Sequence, residues 1–300
     1  MPELPEVETI ARGLAERVTG DVIESVWLGS KPEPLKSPAA EIVSTLEAKR
    51  IAGVRRVGKH IVFDLDDGGR AHSTASPGSA AQGRLRTPPV NRKRLPGKSA
   101  QPTPAQWIVH LGMTGRMLVC KPGDPVEKHT HAIARLSSGR ELRFVDPRRF
   151  GRLSVAHGFQ AAGSEPLDVQ LDRFVSLFRA RKTPIKSALL NQKLLSGVGN
   201  IYADESLFRA GIRPRRRAAS LTREDLRRLY LAVREVLKEA IALGGSSISD
   251  YVGADGEEGF FQLQHRVYGR EGEPCLVCKT SIKRIVIVGR SSHYCPKCQK

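Results

Sequence analysis

The chain has 300 residues, with 49 Lys and Arg against 31 Asp and Glu, a formal charge of +18 and a pI near 10.1. That length calls for two or three compact units with room for a sizeable core, and so large a cationic excess favours nucleic acid as partner over an inert solvated surface. The longest strongly apolar run is the short IVIVG at Ile285–Gly289, which excludes a bilayer-spanning helix, and the acidic start with Glu3, Glu6, Glu8 and Glu16 speaks against a signal segment, so the expected location is the cytoplasm.

Behind the opening MPELPEVET, Pro5 suits a first helical turn, and Val7, Ile10, Leu14 and Val18 recur near helical spacing until Gly20; a packed helix is expected there. Glu8 reads as favourable charge near its N-terminus. DVIESVWLG, RIAGVRRVG, HIVFDLD, WIVHLG and RELRFVD follow as β-branched segments between turn residues, so the first half is expected to be mostly β. From Gly68 to Gln106 the pattern gives way to six prolines, seven Lys or Arg and no acidic residue, which reads as a flexible basic loop. Without those seven charges the net charge is still +11, so the remainder is cationic too. The tract either adds sequence-independent DNA affinity or hangs free. Cys120 stands alone and reads as a small buried hydrophobe.

After the connector AAGSEPLD the texture turns helical. Thr183 and Pro184 suggest a cap and first turn for a helix over IKSALLNQ. Thr222 with Asp225 caps a longer helix whose Leu226, Leu229, Val233, Val236, Leu237, Ala240 and Ile241 form one face before Gly244 and Gly245. Between them, GVGN at Gly197–Asn200 precedes an apolar helix, with Asn200 as the expected N-cap. Amides exposed at such a helix start attract phosphate, although a GxG turn by itself is often only a tight turn. The tail carries Cys275, Cys278, Cys295 and Cys298 as two CxxC knuckles, a spacing that suits one tetrahedral zinc better than a dithiol redox centre. With all four positions filled by protein, that metal is structural. Arg290 falls between the knuckles on an expected hairpin.

PELPEVET, VGKHIVF, HLGMTGRM, EKHTHA, DPRRFG, GVGNIYADESLF, GGSSISDY, VYGREGEPC and the cysteine module occur in one order. On these motifs the chain resembles bacterial formamidopyrimidine-DNA glycosylases across nearly its whole length apart from the basic tract. The resemblance implies an α+β multidomain protein. It would comprise an N-terminal β-sandwich flanked by helices at 1–157 with the 68–106 insert, a linker at 158–168, a helix-two-turn-helix domain at 169–270 and a four-cysteine zinc finger at 271–300. It also implies excision of oxidised purines from damaged double-stranded DNA by a monomer.

The resemblance gives the second residue a chemical reading. Once Met1 is removed, Pro2 presents a secondary α-amine titrating near 8, far more of it unprotonated at neutral pH than an ordinary lysine. Attack on C1′ would give an iminium that opens the way to elimination of both flanking phosphates. Glu3 matches the proton donor to the sugar ring, a role that burial would support by holding its proton, and Glu6 a supporting residue. Lys59 matches a proton donor or phosphate contact. Arg290 reads better as a phosphate clamp, because guanidinium is a poor acid. His110, Asn200 and Tyr268 match residues around an everted nucleotide, and His129, Arg148 and Arg181 match DNA contacts. Met113, Arg148 and Phe150 match side chains that fill the vacated stack. GGSSISDYVGADGEEGFFQ corresponds to a base-recognition loop. Two alternatives stay open: a relative preferring oxidised pyrimidines, against which Leu4 in PELPE speaks, and a noncatalytic zinc-containing DNA-binding protein, which leaves Pro2 and Glu3 unexplained.

Overall fold

The computed structural model describes residues 1–68, 104–246 and 259–300. Helix α1 (Leu4–Val18) precedes two four-stranded antiparallel sheets. One has the order β1 (Ile23–Leu28), β6 (Thr130–Leu136), β7 (Glu141–Val145), β5 (Arg116–Cys120); the other runs β2 (Arg50–Val57), β3 (His60–Asp66), β4 (Ala105–His110), β8 (Arg152–His157). Side chains of both sheets, including Ile23, Phe63, Trp107, Met117, Leu142 and Leu153, enclose one core, which makes a β-sandwich. Helix α2 (Ala39–Leu46) lies across β1, β4 and β8.

The second half is helical: α3 (Leu171–Phe178), α4 (Ile185–Leu189), α5 (Asn200–Ala210) and α6 (Arg223–Ala242) surround a separate core that includes Phe174, Phe178, Leu207, Leu229 and Val236. The capping box of Thr222 and Asp225 starts α6 as expected. Strands β9 (Lys283–Ile287) and β10 (Arg290–Tyr294) form the terminal hairpin, whose turn takes Val288 and Gly289 to positive φ. Helix α1 joins the two large cores. Its first residue, Leu4, is buried in the helical core, whereas Val7, Ile10, Leu14 and Val18 are buried in the sandwich. The N-terminal peptide is thereby wedged at the seam.

Several expectations change. The basic tract ends earlier than expected, because Ala105 and Gln106 pair with Leu65 and Asp64; its residues 69–103 lie outside those described, as do 247–258 of the expected recognition loop. Strands β5, β6 and β8 and helix α2 escaped the sequence pattern, since RMLVC, THAIARL and RLSVAH mix charged and apolar residues without clear alternation. Helix α4 is capped by Pro184 rather than Thr183 and spans only five residues. Glu8 bridges Arg12 at 2.8 Å and Arg56 at 2.7 Å instead of merely complementing a dipole. Cys120 is half-buried, not enclosed.

Candidate active site

Glu3 immediately precedes α1, and the helix aims its carboxylate at the start of α5. Oε1 accepts the Ile201 amide at 3.1 Å. Gly199, the N-cap of α5, makes room: a Cβ there would lie 2.2 Å from the Glu3 carboxyl carbon. The α5 amides that face Glu3 are therefore those of Ile201 and Tyr202, just beyond GVGN, and Asn200 is the first helical residue rather than the expected cap. Glu3 is 3% exposed, and its Oε2 has no partner among the described residues. Burial pushes its carboxyl up to about 6 against the pull of the Lys59 ammonium and the α5 amides, and neighbouring Glu6 adds to the rise.

Glu6 sits one helical turn on, and four donors or neighbours converge on it. Oε2 accepts the Glu3 amide at 2.7 Å. Oε1 accepts the Ser246 amide at 2.8 Å and the Tyr202 hydroxyl, and Gly245 packs against it with no space for a Cβ. One carboxylate thus ties the N-terminus, α5 and the segment after α6 together.

A cavity of about 290 Å³ opens beside these groups, lined by Met1, Glu3, Lys59, Met113, Asn200, Tyr268 and Arg290 together with Gln192 and Val198. Lys59 reaches it from the β2–β3 turn, where Gly58 takes φ +60 against Ser196. Burial pulls this ammonium below its usual range despite the attraction of Glu3 and Glu6, and Arg290 deepens the fall. Pro2 is half-buried between Met1 and Glu3. Three segments distant in sequence, the N-terminus, a sandwich turn and the terminal hairpin, therefore bring one buried carboxyl and two cations to one cleft.

The hairpin is held by a buried ion pair. Lys186 Nζ lies 2.7 Å from Asp204 Oδ1 and donates to the Ser291 carbonyl at 2.5 Å, while Asp204 accepts the His293 amide at 2.8 Å. Asn200 Nδ2 donates to Ser291 Oγ at 3.2 Å. The four cysteine sulfurs lie within 4.8 Å of one another, with Cys275 and Cys298 3.9 Å apart and Cys278 and Cys295 3.4 Å apart. Those separations fit the edges of a tetrahedron with metal–sulfur bonds of about 2.3 Å, so the donor set suits a closed metal site.

The remaining candidates lie around this cleft or apart from it. His110 ends β4, its Nδ1 accepting the Gly112 amide at 3.1 Å; burial lowers it to about 4, and neighbouring His60 and Lys59 add to the fall, so it is neutral at pH 7. Tyr268 stands edge-on between His265 and His293, its amide received by the buried Glu205 carboxylate at 2.8 Å. Met113 and Phe150 are 41% and 52% exposed, with the Arg148 guanidinium 5.0 Å over the Phe150 ring. His129 belongs to a different recess with Trp27, Lys31 and Arg149, and Arg181 follows α3 with its Nε bonded to the Leu177 carbonyl. Sequence reasoning missed Gln192, which donates to the Leu190 and Val198 carbonyls and accepts the Gly197 amide. It also missed Lys186, Asp204 and Tyr202. For Tyr202 and Asp204 only their place in NIYADE, and for Gln192 only its nearness to GVGN, could have drawn attention to them, while Lys186 within IKSALLNQ carries no such signal.

Residues 1–153 match the formamidopyrimidine-DNA glycosylase N-terminal domain, 162–252 the formamidopyrimidine-DNA glycosylase H2TH domain, and 272–300 the zinc finger found in FPG and IleRS. The formamidopyrimidine-DNA glycosylase of Solibacter usitatus is 41% identical over 305 residues, with all of both chains covered. Among solved structures, MutM (Fpg) from Thermus thermophilus is 38% identical with a TM-score of 0.78, covering 99% of this chain and 98% of that one. A Lactococcus lactis Fpg variant complexed with Fapy-dG containing DNA is 30% identical with a TM-score of 0.82 and full coverage of both chains. With its sandwich, helical and finger regions all matched, this chain belongs to the formamidopyrimidine-DNA glycosylase family, whose members act on damaged DNA.

Proposed function

We propose that the protein is a bifunctional glycosylase and abasic-site lyase for oxidised purines, 8-oxoguanine and formamidopyrimidines, working through the Pro2 nitrogen. The observation that carries this reading is the cavity beside Met1 and Pro2, lined by the buried Glu3, whose carboxyl is pushed up to about 6, and by Lys59 and Arg290. Loss of Met1 frees a secondary amine next to that cavity. Its lone pair forms a bond to C1′ as the glycosidic bond breaks, the base leaves with the bonding electrons, and the proton shed by the new ammonium passes to the base, so that the nitrogen lone pair is again free. Glu3 protonates the ring oxygen, the C1′–O4′ bond opens, and an iminium remains. Loss of a C2′ proton then expels the 3′ phosphate, and a second elimination expels the 5′ phosphate. Water hydrolyses the iminium and returns Pro2.

The two cations stabilise the departing phosphates, Lys59 from inside the cleft and Arg290 from the hairpin. His110, Tyr268 and Asn200 bound the space for the everted nucleotide. His129, Arg148 and Arg181 hold backbone phosphates. Met113, Arg148 and Phe150 fill the gap in the stack. Cys275, Cys278, Cys295 and Cys298 hold one zinc ion, which supplies a cross-link that fixes the hairpin and, with no open coordination position, no activated water. A Lactococcus lactis relative is complexed with Fapy-dG containing DNA and also with oxidised-pyrimidine DNA, so the preference for purines rests on Leu4 in PELPE.

Borohydride trapping tests it. Duplex DNA with 8-oxoguanine opposite cytosine is expected to give a covalent adduct with the wild type and a weaker one with Pro2→Gly, whose primary amine forms an imine that can lose its charge, and dihydrouracil DNA is expected to trap more weakly. Undiminished trapping by protein with a capped terminal nitrogen overturns the nucleophile assignment.

A further inference from the structure

DPRRFG enters the proposed function through Arg148 and Phe150, yet its first residue is the most enclosed. Asp146 is 0% exposed, a buried carboxylate that the proposed chemistry does not use. We propose that Asp146 is a positioning residue that fixes the DNA-penetrating wedge, locking the loop that carries Met113 to the loop that carries Arg148 and Phe150. This rests on the wedge reading given above.

The bonds run to both loops. Oδ1 accepts the Thr114 hydroxyl at 2.6 Å and the Arg148 amide at 3.2 Å, and Oδ2 accepts the Gly151 amide at 2.7 Å. The backbone of Asp146 extends the junction: its amide donates to the His129 carbonyl at 3.0 Å and its carbonyl is bonded to His131 Nε2 at 2.9 Å. The two loops also meet without side chains between them. A Cβ on Gly112 would lie 2.5 Å from the Gly151 nitrogen, and one on Gly151 would lie 2.4 Å from the Phe144 ring. Met113, Phe150 and Arg148 therefore stand on two loops that share one anion and one backbone contact.

The mechanical need is specific. Separating stacked bases costs a few kcal/mol per step, and that load pushes back on whatever enters. A wedge on two independent loops would yield, whereas loops joined at a buried carboxylate keep the exposed apolar side chains in register. Removing the carboxylate leaves the Thr114 hydroxyl and two amides without their acceptor, at a cost large enough to loosen both loops. Asparagine keeps the shape but offers one acceptor oxygen where the native residue offers two.

The test compares a substrate that needs eversion with one that does not. Single-turnover release of 8-oxoguanine from duplex DNA is measured alongside borohydride trapping on a single-stranded abasic oligonucleotide. Asp146→Asn is expected to lower duplex cleavage by about tenfold or more, the scale of one to two buried hydrogen bonds, while single-strand trapping stays within about twofold of wild type. Thr114→Val, which removes one of the bonds, is expected to show a smaller duplex-selective loss and decides the matter should Asp146→Asn fail to fold. Met113→Ala and Phe150→Ala serve as wedge controls. Absence of duplex-selective loss in these controls removes the wedge reading itself. Duplex-selective loss in the controls with equal loss on both substrates, or none, in the Asp146 and Thr114 variants overturns the positioning role alone.

Discussion

Glu3 illustrates how a single carboxyl acquires two opposed values. In an unfolded chain it titrates near 4.5, and in the folded protein burial pushes it up to about 6. The group therefore favours the folded state while protonated, fully so below pH 4.5, and that contribution is lost as pH rises through 6. Above that pH the ionised, enclosed carboxylate costs about 2 kcal/mol, from a shift of about 1.5 units at 1.36 kcal/mol each. Glu3→Gln is expected to flatten this dependence, melting higher than wild type at pH 8 but not at pH 4.5 in calorimetry. The same change should slow base release by about 10²–10⁴-fold, the usual weight of a general acid. In the wild type, the depletion of acidic Glu3 above pH 6 is offset by the growing fraction of free Pro2 amine until about pH 8, so single-turnover base release is expected to be level between about 6 and 8 and to fall on either side. A stabilised variant that still excises bases at the native rate would remove Glu3 from the chemistry.

At the level of elements, the start of α5 decides where that carboxyl can be. Gly199 caps the helix and leaves the space that a side chain would fill, at 2.2 Å from Glu3. Its φ of −127° is open to any residue, so its requirement comes from the neighbour and not from backbone strain. Gly199→Ala is expected to leave the helical content unchanged by circular dichroism, since α5 retains its packing, while displacing Glu3 and lowering base release by about 10²-fold or more, as expected when a reacting group moves by about an ångström. Base release within twofold of wild type would mean that Glu3 can act from elsewhere. Behind this helix, the Lys186–Asp204 pair carries the opposite logic. Its side chains are 1% and 0% exposed, so the pair is costly to break, and it holds β10 and Arg290 against the element that receives Glu3.

Across the whole molecule, charge and connectivity separate affinity from chemistry. Leu65 pairs directly with Ala105, so β3 and β4 are close enough at that end for a short turn to join them. Replacing the 69–103 tract by a brief Gly- and Asn-containing turn is expected to preserve the fold and single-turnover cleavage. The loss of seven cations should weaken DNA binding at low salt and reduce the slope of log affinity against log salt, because fewer counterions are released. An unchanged slope measured by fluorescence anisotropy would show that the tract does not touch the duplex. Among the described residues no helix is long and apolar enough to cross a membrane, in keeping with a surface charge directed at nucleic acid.

Reading the chain alone settled what is written locally. The α1 stripe of Val7, Ile10, Leu14 and Val18, the Thr222 cap and the paired CxxC knuckles each depend on residues a few positions apart, where helical period, hydrogen-bond reach and ligand spacing leave little choice. The motif order was equally legible and carried the family. Tertiary structure alone decided the contacts between segments far apart in sequence. That Glu3 fills the first turn of α5, that Glu6 receives the amide of Ser246, and that Asp146 joins Thr114 to Gly151 follow from how the sandwich, the helices and the hairpin pack. Those three carboxylates look alike in the sequence, and each takes its role from the donors that folding brings to it.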